Sequence, residues 1–405
     1  MKVVFDDPQF SFQFLRMLGG TAFGTADIGE CLATASNIQE GDYESWHKAW
    51  LSTAERVHAL AEACEAGGHV VSAREAYLRA GNYFRAAEFY LHGDPHDPRI
   101  LELSGLSLCC FGRAARMSRP PILEVEIPYE GTSLPGHFYR VDETGVARPT
   151  LIAQTGFDGT IEELIGSALA ATARGWNCLA FEGPGQGRVI REQGLPFRPD
   201  WEKPVGAVID YACSRPEVDT SRLALLGISF GGYLAPRAAA FDHRVKACVA
   251  NGGVFDFFEN RIPPGMSRED MLEWINADPE GANREIQASM AADSGIRWAV
   301  ENGMYTFGAS TPADWFLMIS VYHLRNVAEK ITCPTLVIDS EHDQFFPGQA
   351  RKLYDALVCP KDFLVFTAEE GAGEHCQIGA AYLSSERIMD WLEERLGGAG
   401  ERIRG

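Results

Sequence analysis

The stretch Leu223-Ala224-Leu225-Leu226-Gly227-Ile228-Ser229-Phe230-Gly231-Gly232-Tyr233 constrains this chain more than any other. It reads as a buried strand that runs into Gly-x-Ser-x-Gly and then into an alanine-rich helix. A serine held on so sharp a strand-to-helix turn needs neighbours without side chains two positions before and after it. Gly227 and Gly231 meet that demand. Taken alone, the pattern also fits an ordinary strand-ending turn, so the rest of the chain has to supply partners for Ser229.

At 405 residues the chain is long for one hydrophobic core, and a second domain or large insertions are expected. Its 46% hydrophobic and 23% charged residues are those of a soluble globular protein. The net charge of −20, from 56 acidic against 36 basic residues, disfavours nucleic acid and anionic membranes as partners and leaves a small-molecule substrate open. Met1-Lys2-Val3-Val4-Phe5-Asp6-Asp7-Pro8 meets charge and proline before any apolar run, so it does not read as a signal peptide, and no stretch approaches a membrane span. The ten cysteines, at 31, 64, 109, 110, 178, 213, 248, 333, 359 and 376, contain no C-x-x-C. They read as reduced, buried residues of a cytoplasmic protein rather than as a disulfide framework or zinc site.

From residue 27 to about 119 the signals are helical. One helix opens at the N-cap Asp42, carries Trp46, Trp50, Val57, Leu60 and Cys64 on one face, and stops at Gly67-Gly68. A second, over 72–80, is followed after Gly81 by an aromatic stretch over 83–90; the spacing imitates one tetratricopeptide unit, but a solenoid needs about three. Pro95, Pro98, Pro120 and Pro121 punctuate the exit.

Beyond Pro121 strands and helices alternate: a hairpin of 122–127 and 134–140, strands at 149–153, 176–181, 223–228, 245–250, 334–338 and 363–366, and helices at 161–173, 201–213, 230–241, 349–357 and 378–396. That alternation predicts an α/β class with a mainly parallel sheet and helices on both faces. It is interrupted over 255–328, where 271–275, 284–292 and 315–324 look helical. The expected organisation is a helical lid domain at 1–120, a first core part at 121–254, a helical cap insertion at 255–328 and a second core part at 329–405. Both helical blocks could roof the carboxyl edge of the sheet, where open α/β sheets bind ligands.

A serine hydroxyl is a weak nucleophile unless a histidine takes its proton and a carboxylate orients that histidine. In a sheet of this kind the partners follow in the order serine, acid, histidine, each just past a strand. The strand at 334–338 runs into Asp339, Glu341, His342 and Asp343, and the one at 363–366 into Glu374, His375 and Cys376. Asp343 is the expected acid, with Asp339 as its competitor, and His375 the expected base; His342 precedes the acid and reads as a solvated histidine. Oxyanion donors are expected from the backbone N–H groups of Phe230 and of Phe157, the latter in the glycine-rich loop Gln154-Thr155-Gly156-Phe157-Asp158-Gly159-Thr160. Asp158 reads either as an auxiliary acid or base or as the N-cap of the helix that follows.

Glu182-Gly183-Pro184-Gly185-Gln186-Gly187 lacks the register of a phosphate or dinucleotide loop and reads as a tight turn bordering the site. No cofactor and no metal are expected. Trp46, Tyr83, Tyr90, Trp315 and Tyr322 are candidate substrate-binding aromatics, though aromatics at helical spacing are more often core than pocket. A homodimer is compatible with the sequence.

These residues resemble those of α/β-hydrolases with an N-terminal helical domain, such as 2,6-dihydroxypseudooxynicotine hydrolase and the fungal polyketide-shortening hydrolases of the yellowish-green type. The likeness rests on Gly41-Asp42-x-x-Ser45-Trp46, Ser72-Ala73-Arg74 and Arg79-Ala80, then Gly156-Phe157-Asp158-Gly159, Gly183-Pro184-Gly185-Gln186-Gly187, Gly227-Ile228-Ser229-Phe230-Gly231-Gly232 and Gly373-Glu374-His375-Cys376. It implies the α/β-hydrolase fold and hydrolysis of a carbon–carbon bond beside a carbonyl, in the retro-Claisen manner. The nicotine-pathway relatives resemble this chain with a glutamate where Asp158 stands, and many relatives have aspartate at Glu182. The same constellation serves ester, thioester or lactone hydrolysis and acyl transfer, and a binding module on a degenerate hydrolase fold is the reading outside enzymes.

Overall fold

The computed structural model describes residues 1–397; residues 398–405, the end of the expected second core part, lie outside the described residues. Two compact units make up the chain. A helical unit comprises Met1–Ile122, Arg188–Phe197 and Arg261–Val321, and a sheet unit comprises Leu123–Gly187, Arg198–Asn260 and the described residues from Tyr322 onward. Residues 188–197, which the sequence reading assigned to the core, thus group with the helices.

The helical unit opens with α1 (Pro8–Gly19), whose cap Asp7 accepts the N–H groups of Gln9 and Phe10, and α2 (Ile28–Ala35). Next, α3 (Tyr43–Ala66) starts from Asp42 as expected, with that carboxylate accepting the Glu44 and Ser45 amides. Helix α4 (Val70–Glu88) runs unbroken through Gly81, where two segments were expected. The glycine is a packing device: a Cβ there would lie 3.1 Å from the Ser107 carbonyl oxygen, and Ser107 Oγ donates to the Gly81 carbonyl at 2.8 Å. Helix α5 (Pro98–Met117) shows that Pro98 opens a helix rather than closing the domain, because proline lacks only an N–H that the first turn leaves unbonded anyway.

In the sheet unit, β1 (Leu123–Tyr129) and β2 (Thr132–Tyr139) form the expected hairpin, followed by β3 (Arg148–Gln154), α6 (Ile165–Thr172), β4 (Asn177–Phe181) and α7 (Gly187–Gln193), which leads into the helical unit. Then come α8 (Glu202–Ser214), β5 (Val218–Ile228), α9 (Gly231–Ala239) and β6 (Ala247–Asn251). The inserted helices α10 (Arg268–Ala277), α11 (Pro279–Ala292), α12 (Ser294–Phe307) and α13 (Pro312–Ile319) return to the helical unit. The expected helix over 315–324 ends at Ile319, and α12 carried no recognised signal. The chain closes with β7 (Thr335–Ser340), α14 (Gln349–Ala356), β8 (Lys361–Phe366) and α15 (Ala381–Leu396).

The eight strands lie in the order β1-β2-β4-β3-β5-β6-β7-β8, parallel from β4 through β8, with the hairpin antiparallel at one edge. Helices α6 and α15 pack together against the sheet, as do α8 and α9, so both faces are covered. Strands β3, β4, β6 and the second half of β5 (residues 223–227) are almost wholly buried, which is why they read as continuous apolar runs. No helix among the described residues is long and apolar enough to cross a membrane.

Candidate active site

Register decides which loops meet. Gln154 is level with Gly227, Gly227 with Ala250, and Asn251 with Ile338, so the segments after β3, β5, β6 and β7 leave the sheet at one edge. Ser229 stands there with φ +64°, the left-handed region that a non-glycine residue adopts only when its surroundings enforce it. Its N–H donates to the Asn251 carbonyl at 2.9 Å, and its own carbonyl accepts Gly232 N–H at 2.7 Å. A Cβ at Gly227 would overlap the Gly231 carbonyl, and one at Gly231 would sit 2.7 Å from the Thr155 oxygen. The two glycines are therefore steric necessities of the turn.

His375 Nε2 lies 2.8 Å from Ser229 Oγ, and His375 Nδ1 lies 2.6 Å from Asp343 Oδ2. The other Asp343 oxygen accepts the amides of Phe345 and Phe346, both at 2.9 Å, which locks the carboxylate toward the ring. Histidine and aspartate are both buried. Burial alone would lower the imidazole pKa, but the Asp343 carboxylate outweighs it and, with the Cys376 contact, holds His375 well above the usual histidine value. For Asp343 burial works upward, and the His375 charge and hydrogen bonds bring it below the usual carboxylate range. The competitor Asp339 is spent on the Ser340 amide at 3.0 Å, and Glu341 accepts the Ala368 amide at 2.7 Å. His342 is exposed, as expected of a solvated side chain.

Sequence reasoning missed what surrounds the histidine. Phe345 meets the imidazole edge-on with centroids 5.0 Å apart, Phe346 lies at 5.6 Å, and Cys376 Sγ is 3.3 Å from Nε2. Gly252, at φ +82°, passes beneath: a Cβ there would come within 3.1 Å of Cys376 Sγ and 3.2 Å of His375 Cε1. Gly252→Ala is therefore expected to displace the imidazole and lower kcat about 10- to 100-fold with little change in KM; steady-state kinetics on the folded variant checks this.

A Cβ at Gly156 would fall 2.5 Å from the Phe230 nitrogen, which places the β3 loop directly against the amide expected as the first oxyanion donor. The Phe157, Phe230 and Phe257 rings pack together, with centroids 5.6 Å apart for Phe157–Phe257 and 4.0 Å for Phe230–Phe257. Asp158 is half-buried in this loop, and Thr160, not Asp158, holds the N-cap position of the turn that follows. Glu182 is explained by the structure: its buried carboxylate accepts the Ile161 amide at 2.8 Å and packs so tightly on Gly187 that a Cβ there would overlap it.

The candidate aromatics separate. Trp46 donates from Nε1 to the Ala86 carbonyl at 2.8 Å, Tyr83 donates from its hydroxyl to Glu30 at 2.8 Å, and Tyr90 stacks on Tyr43 with centroids 4.1 Å apart. These three, with Trp315 packed on Phe316, are buried core residues of the helical unit. Tyr322 belongs to the sheet unit and lies beside Phe230 at 5.8 Å. No group of three or more His, Cys, Asp or Glu among the described residues has the geometry to hold a metal ion.

An eight-stranded sheet with a serine at such an elbow defines a hydrolytic enzyme of the α/β-hydrolase class. The family model described as "Alpha/beta hydrolase family" matches residues 155–382. The hydrolase LUC6 of Fusarium sp is 36% identical, with 98% of this chain and 99% of that protein covered. The 20-hydroxy-prefusarin hydrolase FUS2 of Gibberella moniliformis is 36% identical over 97% and 98%. Among solved structures, the 2,6-dihydroxy-pseudo-oxynicotine hydrolase superposes with a TM-score of 0.74 at 21% identity, covering 94% of this chain and 95% of that one. This chain belongs to the alpha/beta hydrolase family.

Proposed function

We propose that the protein is a serine hydrolase that cleaves a carbon–carbon bond beside a carbonyl in a 1,3-dicarbonyl or polyketide-like small molecule. The observation that carries the reading is the continuous chain from Ser229 Oγ through His375 to Asp343, at 2.8 and 2.6 Å. Ser229 Oγ attacks the ketone carbon while His375 Nε2 takes its proton, and Asp343 stabilises the imidazolium. The amides of Phe230 and Phe157 hold the resulting oxyanion. Collapse breaks the carbon–carbon bond, the electron pair leaves as an enolate, and His375 returns the proton to carbon. Water, deprotonated by His375, then cleaves the acyl ester, and the proton returns to Ser229. The carbon–carbon specificity draws on the family resemblance; a relative named for hydrolysis of 20-hydroxy-prefusarin supports a substrate of that general kind.

A fluorophosphonate probe is expected to label the protein and to leave Ser229→Ala unlabelled; an unlabelled wild type would count decisively against the reading. A 1,3-diketone should yield one carboxylic acid and one ketone, faster than a matched ester is hydrolysed. The reverse order would make the protein an esterase with the same machinery.

A further inference from the structure

Gln186 takes no part in the triad, yet it is only 2% exposed and its whole side-chain amide is committed. Its Nε2 donates to the carbonyls of Thr155 at 3.0 Å and Gly156 at 3.1 Å, and its Oε1 accepts Gly183 N–H at 3.0 Å. A primary amide carries two N–H donors, so one side chain holds two consecutive carbonyls. In a trans peptide the C=O and the N–H of the next residue point in opposite directions. A Gly156 carbonyl turned toward Gln186 therefore turns the Phe157 N–H away from it, and the Thr155 carbonyl does the same for the Gly156 N–H. Two successive amides directed to one side form an anion-binding concavity. The loop that carries them abuts the elbow, as the 2.5 Å approach of a Gly156 Cβ to the Phe230 nitrogen shows.

The surroundings leave Gln186 little freedom. Trp201 Nε1 donates to Gln154 Oε1 at 2.8 Å just before the loop, and Glu182 accepts the Ile161 amide just after it. The Gly183 backbone lies so close to the Trp201 ring that a Cβ would come within 2.6 Å. The turn at 183–187 is thus a buried brace whose one side chain reaching the β3 loop through both donors is Gln186.

We infer that Gln186 is a positioning residue that sets the direction of the oxyanion-binding amide of Phe157, and through it the stabilisation of the tetrahedral intermediate. The inference rests on Ser229 acting as nucleophile. Gln186→Met keeps the volume and removes both donors. Its kcat should fall about 10- to 100-fold, short of the roughly 10²- to 10³-fold that follows outright loss of an oxyanion donor, with KM within about threefold. Affinity for a trifluoromethyl ketone, which forms an oxyanion on the serine, should fall in parallel. A purely structural role would instead lower the melting temperature while leaving kcat and ketone affinity of the folded fraction unchanged, and that result would overturn the inference. Should the methionine variant not fold, Gln186→Asn, one methylene shorter and unable to reach both carbonyls, carries the same comparison. Failure of the wild type to react with a fluorophosphonate at Ser229 would sink the underlying reading. Normal reaction of the wild type with unaltered kcat in the variants would sink only the role of Gln186.

Discussion

Asp343→Asn is expected to lower kcat by about 10⁴-fold while leaving the fold intact. Asparagine matches the carboxylate in shape, so Oδ1 can go on accepting the Phe345 and Phe346 amides, but then its NH₂ group faces His375 Nδ1. A donor there favours the tautomer with its proton on Nε2, which cannot accept a proton from Ser229. The substitution also has a pH signature. Burial depresses the imidazole, and the Asp343 charge more than reverses this, so the wild-type base loses its proton only above the usual histidine value of about 6.5. Since the neutral ring is the active form, kcat/KM should rise with pH along a limb displaced to the alkaline side of that value. In Asp343→Asn the limb should move downward, because burial remains and the opposing charge is gone. Identical limbs in the two enzymes would show that the carboxylate is not coupled to the base.

The second large effect is expected far from Ser229 in sequence and concerns stability. Glu88 and Arg191, with side chains 3% and 6% exposed, form a two-pronged ion pair in the helical unit: Nε to Oε1 and Nη2 to Oε2, both at 2.9 Å. His92 Nε2 adds a contact to Glu88 at 2.7 Å, and its Nδ1 meets Asn302 Oδ1 at 2.7 Å. Glu88→Ala would leave the Arg191 guanidinium buried without its counter-charge, a loss of about 3–5 kcal/mol. Thermal unfolding should record a melting temperature lower by roughly 10 °C. A loss below about 1 kcal/mol would mean that water takes the place of the carboxylate.

For Glu88 burial acts to raise the pKa, and Arg191 and His92 overcome it and hold the group well below the usual carboxylate range. A depressed folded-state pKa contributes stability above the unfolded value of about 4.3 and loses it as pH falls through the folded one. The difference between wild type and Glu88→Ala should therefore shrink as pH falls below the unfolded carboxylate value of about 4.3. A difference that grew below that pH would contradict the assigned pairing.

Much of the site was legible because its constraints are local in sequence. The sharp turn at Ser229 demands glycine at 227 and 231, a parallel sheet demands apolar strands, and loops that carry chemistry follow the strands. Ser229, Asp343 and His375 could be named in order on those grounds, and the fold brings them into one hydrogen-bonded chain. Gly81 misled because a helix glycine reads as a break, whereas here it lets the backbone of α4 approach Ser107. The aromatic candidates could not be separated from core packing in the sequence, because a ring on a helix face looks the same whether it meets a substrate or another ring; Trp46, Tyr83, Tyr90 and Trp315 are buried in the helical unit.

By itself, then, the sequence determined the class of fold, the sharp turn at Ser229 and a short set of candidate partners, Asp343 with its competitor Asp339 and then His375, since each depends on residue type at a fixed offset from a strand end. Tertiary structure alone decided that Asp343 rather than Asp339 faces the imidazole, and that Gln186 braces the β3 loop. It also made Glu182 a support for Ile161 and joined Arg191 to Glu88. Those assignments depend on side-chain directions across contacts separated by 21 to 103 positions. No periodicity along the chain encodes such directions; they follow from the register of the strands and the packing that the register allows.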